Sequence, residues 1–159
     1  MSYVINPFLT GSSGAATPYS ASFKAVKSAT TQQTIAASDN NQEIVFDSVS
    51  WDTFGSSFAS NRFTVPGAYS GRYMNFTAGV ETTVAATHNI YIEVSTDGGT
   101  GWTEIAVNGD LTSRFMTAST GPFLAATDDI FRVRYELPGF ASDTFMNNTD
   151  KTFFSGHVT

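Results

Sequence analysis

The sequence has few of the residues that support redox, metal or membrane functions. It contains no cysteine, which excludes disulfides, thiol catalysis and zinc sites built on thiolates. Its 8 Lys and Arg against 14 Asp and Glu give a net charge of −6, which argues against binding nucleic acid through phosphates. No apolar run approaches the roughly 20 residues that cross a bilayer, and the start lacks the basic and apolar regions of a secretory signal. We therefore expect a protein made in a cytoplasm, with no nucleic-acid or membrane partner.

Leucine is also scarce, which bears on the fold class. The only leucines in the sequence are Leu9, Leu111, Leu124 and Leu137, whereas Phe, Thr, Val and Ser are abundant. Helices favour unbranched side chains, and strands accept β-branched and aromatic ones, so the composition predicts an all-β protein. A length of 159 residues suits one domain with a sizeable core.

Short β-prone segments separated by turn residues run from Ser20 to the last residue. The predicted strands include SASFKAVKSA, QEIVFDSVSWD, NIYIEVS, WTEIAVN, SRFMTA, IFRVRYEL and KTFFSGHVT. FGSSFASN and PGFASDTFMNNTD are predicted to be loops. Roughly eight to ten closely spaced strands, without a helical period or a repeat, predict an antiparallel sandwich or jelly roll.

The stretch NRFTVPGAYSGRYMNF is predicted to form a strand, a corner and a longer strand. Phe63 begins a β-prone triplet, and Pro66 and Gly67 interrupt it. The alternation that follows places Tyr69 and Tyr73 on one face of the long strand, with Tyr69 at its start.

The first 20 residues differ in composition from the rest and are predicted to form a separate N-terminal arm. They mix Gly, Ser, Ala and Pro with closely spaced apolar residues that show no period. A frayed terminus is the plain interpretation. The alternative, which the clustering favours, is an arm that orders on a partner through Tyr3, Ile5, Phe8 and Leu9. The domain boundaries are therefore 1–20 for the arm and 21–159 for the jelly roll.

The candidates for catalysis are few. His88 and His157 are the only imidazoles. Ser155, His157 and Asp150 contain the residue types of a nucleophilic triad, but their closeness in sequence supplies no triad geometry. We expect one histidine at the surface and the other at the edge of the core, and no catalytic residue.

Acidic residues provide two further candidates. Glu93, Glu104 and Glu136 all fall on predicted strands, but a compact jelly roll without long inserted loops leaves little room for a sugar cleft. The pair at 128–129 has the residue type that binds calcium, but a solvated turn is the favoured interpretation. We expect no cofactor and no metal.

STDGGTGW, residues 95–102, resembles the aspartate box of sialidase-like β-propellers, with Gly101 in place of a threonine. In those proteins the box is a structural turn that recurs once per blade. Here it occurs once. We therefore interpret residues 97–99 as a hairpin turn, with Trp102 packed beneath it.

Four segments, in order, resemble the jelly-roll family of tumour necrosis factor and the globular head of complement component one q. IVFDSV (44–49) resembles the strand that enters the sandwich, and RFTVPGAY (62–69) resembles the family's corner. LAATDDIFRVRY (124–135) resembles a late strand, with Thr127 in place of the usual glycine and Asp128 as the aspartate. FFSGHVT (153–159) resembles the terminal strand. His157 stands there in place of an apolar residue.

This resemblance implies a jelly roll of about ten strands that assembles as a homotrimer through one sheet. By analogy with aromatic residues at the family's threefold axis, Phe115 and Phe153 are expected at the trimer interface. Closed oligomers also hide surplus apolar surface, of which this aromatic-rich chain has much. The stalk of the animal members is missing, which argues against the complement and cytokine roles.

Phage and bacterial versions of this fold serve as virion decorations, fibre heads and binding knobs. We therefore expect a non-enzymatic protein of the virion surface, a trimeric decoration (cement) protein whose arm grips the major capsid protein or another virion protein. The alternative is a receptor- or carbohydrate-binding knob of a phage fibre, with Phe140 or Phe145 as an exposed platform. A hydrolase is the third possibility. Fold alone does not decide among them.

Overall fold

The computed structural model describes residues 20–28, 32–36, 41–83, 85, 87–110, 113–137, 142–145 and 148–159. These residues form fourteen strands and a 3-10 turn at Gly67–Tyr69. The strands are β1 Ser22–Val26, β2 Gln33–Ala36, β3 Gln42–Glu43, β4 Ser48–Asp52, β5 Phe58–Ala59, β6 Arg62–Thr64, β7 Arg72–Glu81, β8 His88–Ser95, β9 Thr103–Asp110, β10 Phe115–Ser119, β11 Phe123–Ala125, β12 Ile130–Glu136, β13 Ser142–Phe145 and β14 Phe153–Val158.

Two antiparallel sheets pack face to face, which confirms the predicted all-β jelly-roll sandwich. The first sheet has the strand order β10-β7-β14-β1-β4, with β11 also paired to β7. The second sheet has the order β5-β6-β12-β8-β9, with β3 also paired to β12. The strands β13 and β2 form a small separate pair. Every strand pairing among the described residues is antiparallel.

Phenylalanine rings fill the space between the two sheets. Phe23 of the first sheet stacks on Phe63 of the second, with ring centroids 4.4 Å apart, and Phe76 stacks on Phe131 at 4.1 Å. Phe154 meets Phe23 edge-on at 5.2 Å. All five rings are fully buried. Each buried ring removes a large apolar area from water, and offset or edge-on ring contacts add to that gain.

The predicted alternation holds in most strands. In β12, Phe131, Val133 and Tyr135 are buried, and the residues between them lie on the other face. The residues predicted to alternate around β1 are also buried, including Lys27, whose ammonium group donates to the carbonyl oxygen of Val45 at 3.2 Å. Burial lowers the pKa of Lys27, and nearby Asp47 partly opposes that shift.

The segment QEIVFDSVSWD is not a single strand, as the sequence predicted, because the chain changes sheets within it. Strand β3 pairs with β12 in the second sheet, and β4 pairs with β1 in the first. Residues 44–47 form the crossing. Ile44 and Phe46 point into the core there, whereas Val45 is exposed.

The stretch from Asn61 to Phe76 differs from its prediction at one tyrosine. Tyr69 lies in the 3-10 turn, not at the start of the long strand, and its buried ring packs edge-on against Phe54 at 4.8 Å. Gly71 has a φ of +75°, which ends the turn, and β7 begins at Arg72. Tyr73 is exposed on this strand, as the face opposite buried Met74 requires.

Two predicted loops contain strands. FGSSFASN includes β5, which pairs with β6, and PGFASDTFMNNTD includes β13, which pairs with β2. Phe145 of β13 is fully buried, with its ring edge-on to Tyr135 at 4.8 Å. The prediction that Phe145 forms an exposed platform is therefore wrong. Phe140, the other predicted platform residue, lies outside the described residues.

Candidate interaction surface

The outward side of the first sheet carries most of the exposed large apolar side chains of the described residues. We call this side the interaction face. Its strands place alternate residues on it, as in Tyr73, Asn75 and Thr77 of β7 or Phe153, Ser155 and His157 of β14. Its exposed apolar side chains are Trp51, Tyr73, Phe115 and Leu124. Such a concentration on one side of a small domain is typical of a protein-binding surface.

One end of the interaction face contains both phenylalanines that the sequence predicted at an interface. The ring of half-buried Phe153 lies across Gly79, where a side-chain Cβ would come within 2.6 Å of it. Phe115 lies on β10, paired with Glu81 of β7. The Lys151 ammonium group sits 5.8 Å from the Phe115 ring centroid and 2.8 Å from the Glu81 carboxylate. This Lys151 contact holds the pKa of Glu81 below its ordinary value.

A tryptophan extends this apolar end toward the edge strand β4. Trp51 is exposed, and its indole Nε1 donates to the Ser22 hydroxyl at 3.2 Å. The Lys24 ammonium group lies 5.8 Å from the Trp51 ring centroid and 5.1 Å from that of Phe153. These are cation–π distances, so Lys24 bridges two aromatic rings on the surface.

The opposite end of the interaction face carries a second apolar patch. Tyr73 of β7 and Leu124 of β11 are directly paired across the two strands. Their side chains are 53% and 55% exposed. The two side chains contact each other across the strands, but most of their apolar area remains in water. A partner surface that covered this area would therefore gain binding free energy.

Small polar side chains separate the two apolar ends. The middle of the face carries Asn75, Thr77, Ser119, Ser155 and His157. The Thr77 and Ser119 hydroxyls are 3.1 Å apart. The Asn75 Oδ1 atom is buried and accepts no hydrogen bond from the described residues. Short side chains of this kind let another chain approach the sheet closely.

The outward side of the second sheet is chemically different. It carries an outer charge ladder in which Arg and Glu alternate. The members of the ladder are Arg62, Glu43, Arg132, Glu93, Arg134 and Glu104. At its centre the buried Glu93 carboxylate accepts from Arg132 Nε at 2.8 Å and from Arg134 Nε at 2.6 Å.

Aromatic rings support the charge ladder. The Arg132 guanidinium carbon lies 3.9 Å from the Trp102 ring centroid, and that of Arg134 lies 3.6 Å from the Tyr91 ring. The hydrogen bond that Arg62 donates to Glu43 raises the pKa of Arg62 above its ordinary value. The ladder's arginines are thus paired with the protein's own carboxylates, which leaves this side poorly suited to an anionic ligand.

The strand glutamates are committed to these contacts. Glu93 and Glu104 belong to the ladder, and Glu136 accepts from the Tyr91 hydroxyl at 2.5 Å and from Asn89 Nδ2 at 3.3 Å. The Tyr91 contact lowers the pKa of Glu136, and burial followed by that contact raises the pKa of Tyr91. A glycosidase acid needs a raised pKa, the opposite direction. No cavity occurs within the described part of the chain.

The structure does not bring the triad candidates together. Ser155 donates to the Thr77 carbonyl, and His157 is exposed two residues farther along β14. The Asp150 backbone amide donates to the Asn148 Oδ1 atom at 3.1 Å in a separate turn. His88 is the buried histidine of the pair, and its Nδ1 shares a short hydrogen bond with the Tyr135 hydroxyl.

The acidic pair at 128–129 builds a turn. Asp128 adopts a φ of +65°, and buried Asp129 accepts from the Ala126 amide at 2.8 Å. Across residues 20–28, 32–36, 41–83, 85, 87–110, 113–137, 142–145 and 148–159, no group of three potential metal ligands occurs within one chain.

The aspartate-box segment forms the predicted hairpin turn between β8 and β9. The Asp97 carboxylate accepts from the Gly101 amide at 2.8 Å, from the Thr100 amide at 3.0 Å and from the Ser95 hydroxyl at 2.7 Å. The hydrogen bonds from Gly101 and then Ser95 lower the pKa of Asp97. Trp102 lies beneath the turn, 3.8 Å from where a Cβ on Gly99 would be.

The arm residues Tyr3, Ile5, Phe8 and Leu9 lie outside the described residues, so their role stays a prediction. Within the described ranges, no helix has the length and apolar character of a membrane-spanning helix.

The sequence did not reveal the exposed Trp51 or the Tyr73–Leu124 pair. Period-2 alternation signals two faces of a strand, but it does not reveal which strands share a sheet.

The comparisons with known proteins identify structures of similar fold but no relative that is similar in sequence. No protein-family model matches the sequence. A search of curated proteins gave no match either.

Solved structures with a similar fold are numerous. Murine APRIL at pH 5.0 matches with a TM-score of 0.60 and 11% identity, over 88% of this chain and 99% of that chain. Eiger TNF from S. frugiperda matches with a TM-score of 0.58 and 8% identity, over 88% and 91%. The globular domain of zebrafish complement 1qA protein gives 0.53 and 9%, over 86% and 95%. The chain therefore has the jelly-roll fold that TNF-like and C1q-like domains share.

Proposed function

We propose that this chain is a non-enzymatic structural protein that acts as a homotrimer, assembled through the interaction face. One observation carries the trimer. The interaction face has exposed apolar side chains at both ends of a small polar middle, whereas the charged side chains on the other sheet already form ion pairs with one another. Burying the rim against copies of the chain removes apolar side chains from water. In this arrangement Phe115 and Phe153 lie near the threefold axis.

The setting we propose is the surface of a virus particle. The trimer acts as a capsid decoration protein, made in the host cytoplasm and held on the major capsid protein or another virion protein by the arm at residues 1–20. Support comes from the sequence resemblance to a jelly-roll family whose phage versions include virion decorations, and from the clustering of Tyr3, Ile5, Phe8 and Leu9 in the arm. The engagement of the candidate glutamates in ion pairs and hydrogen bonds supports a role without catalysis.

Binding to capsids tests this assignment. Purified protein is mixed with undecorated capsids and sedimented, beside a variant without residues 1–20 and a variant with Phe8→Ser and Leu9→Ser. We expect full-length protein to co-sediment and both variants to stay in solution. A full-length trimer that ignores capsids contradicts the decoration role, and equal binding of the truncated variant contradicts the arm.

A knob at a fibre tip is the competing proposal. The burial of Phe145 removes one of its two predicted platform residues. Counting copies on purified particles separates the two roles, because hundreds of copies indicate decoration and a handful indicate a tip.

A further inference from the structure

His157 is an exposed imidazole in the middle strand of the interaction face. The strand order β10-β7-β14-β1-β4 makes β14 the third of five. His157 points outward from this strand, together with Ser155 and Phe153. Its ring makes no hydrogen bond to the residues that the structure describes, and the nearby Lys24 is directed away, toward Phe153 and Trp51. The imidazole nitrogens are therefore available to another molecule.

Asn75 supplies a second and independent feature. It is the residue of β7 directly paired with His157, on the same outward side. Side chains at directly opposed positions have Cβ atoms about 4.5–5.5 Å apart, within reach of each other. The Asn75 Oδ1 atom is buried and lacks a donor within the described residues. A buried carbonyl oxygen of this kind favours a nearby N–H donor, because an unpaired buried acceptor loses its hydration without gaining a hydrogen bond.

An imidazole that donates one N–H to a carbonyl oxygen turns its other nitrogen outward as a lone-pair donor. Metal-binding histidines in proteins are held in this way by an acceptor behind the ring. If His157 donates to Asn75 Oδ1, the free nitrogen of the ring faces away from the sheet. With that hydrogen bond formed, each chain would present one oriented nitrogen ligand on the interaction face.

Threefold assembly multiplies this ligand. In the proposed trimer each chain turns its interaction face toward the axis, with β14, the middle strand of that face, placed nearest to it. The β14 strands then bring Phe153 to one level of the axis and His157 to another, about 13 Å apart for four residues of strand. Three imidazoles that meet at an axis form an open three-nitrogen site.

We propose that the homotrimer binds one divalent transition-metal ion of the zinc, cobalt or nickel class on its axis, held by His157 from each of the three chains. Asn75 acts as the positioning residue behind each imidazole. The site rests on the proposed trimer and is incomplete without all three copies. Three histidines with a water molecule in the fourth position form a set that zinc accepts readily.

The test uses untagged full-length protein, first stripped with chelator. Light scattering without metal establishes the oligomeric state, and calorimetric titration with zinc chloride then measures the stoichiometry. We expect one zinc ion per three chains. His157→Gln should remove this binding while the variant stays trimeric. Asn75→Ala should weaken zinc binding about 10–100-fold. Asn75→Asp keeps an acceptor oxygen and should therefore retain most of the wild-type affinity. Ser155→Ala, on the same strand, is the control that leaves binding unchanged.

Cobalt gives a spectroscopic check. Cobalt bound by three imidazoles and water in a tetrahedral site should show intense visible absorption bands, which the His157→Gln variant should lack.

Each outcome is decisive. A trimer that binds no zinc, binds one ion per chain, or binds equally well after His157→Gln contradicts the metal site and leaves the trimer standing. A monomer both with and without zinc overturns the proposed assembly and the metal site together. A protein that is monomeric after chelation and trimeric with zinc, but not in His157→Gln, supports the site.

Discussion

Gly156 shows how a single residue sets the packing of the core. It lies on β14, and the position that a side chain would occupy there falls between the Phe23 and Phe76 rings. A Cβ at this position would lie 2.6 Å from Phe23 and 2.7 Å from Phe76, closer than real contacts allow. Because both rings also contact partners across the sandwich, neither can move away easily. The ring cluster therefore requires a glycine here.

We predict that Gly156→Ala destabilises the fold by about 1–3 kcal/mol, the usual cost of overpacking a core. Denaturant unfolding measures the change. Gly121→Ala is the control, because a Cβ at residue 121 meets nothing within 4 Å. Equal stability of the two variants would contradict the described core packing.

Asp97 sets the geometry of the β8–β9 turn through its charge. Its pKa is lower in the folded protein than its ordinary value of 3.8, since backbone and hydroxyl donors favour the carboxylate. A group with a depressed folded pKa contributes stability above its unfolded pKa and loses it as the pH falls through the folded value. The contribution of Asp97 is therefore present at pH 7 and declines below about pH 3.8.

We predict that Asp97→Asn lowers the thermal midpoint at pH 7 and that its difference from the wild type shrinks as the pH falls below 3.8. Thermal melts of both proteins from pH 7 to pH 2.5 measure this dependence. Asp128→Asn is the comparison, because Asp128 is an exposed carboxylate in a different turn. A wild-type advantage that grows on acidification would show that the sign of the shift is wrong.

At the scale of elements, the outer charge ladder joins strands that lie far apart in the sequence. Glu93 of β8 contacts two arginines of β12, and Arg132 of β12 reaches Glu43 of β3. Removing one partner from a largely buried pair leaves the others with uncompensated charge, whereas an exposed pair contributes little. The ladder is therefore expected to be sensitive at its centre and tolerant at its end.

We predict that Glu93→Gln costs about 2–3 kcal/mol of unfolding free energy, somewhat below a fully buried pair because the arginines keep some solvent contact. Glu104→Gln, at the exposed end of the ladder and 3.6 Å from Arg134, should cost no more than about 0.5 kcal/mol. Chemical denaturation of both variants measures the difference. If the two substitutions had the same effect, Glu93 would not be the centre of the network.

The elements that the sequence predicted well are those with strong local patterns. The β8–β9 hairpin, β12 and β14 follow from alternation and from turn residues such as those at 97–99. The crossing at residues 44–47 was missed because it depends on distant partners: Glu43 pairs with Arg134, and Val49 pairs with Ala25. No local pattern encodes which sheet a strand joins.

The same limit applies to the candidate site. Sequence resemblance placed Phe115 and Phe153 at an interface, and the structure puts both on one end of the interaction face. The Tyr73–Leu124 pair and the unpaired Asn75 oxygen become visible only when β11, β7 and β14 are side by side. These features arise from strand register, which the sequence does not display.

At the scale of the whole molecule, the two sides of the sandwich differ in chemistry. The second sheet neutralises its charges internally, and the first leaves aromatic and aliphatic side chains open at both ends of a polar middle. Assembly through the first sheet would cover the open side chains without breaking the charge ladder. A carboxylate placed inside that interface would lose its hydration without gaining a partner, which is costly.

The molar mass in solution tests the account most directly. Light scattering coupled to size exclusion is applied to the full-length chain, to Tyr73→Asp on the interaction face, and to Val107→Asp, which changes an equally exposed residue of the second sheet. We predict three times the chain mass of 17.0 kDa for the wild type and for Val107→Asp, and a single chain mass for Tyr73→Asp. A wild-type protein that elutes with the mass of one chain, or a trimer that Val107→Asp disrupts and Tyr73→Asp does not, would contradict it.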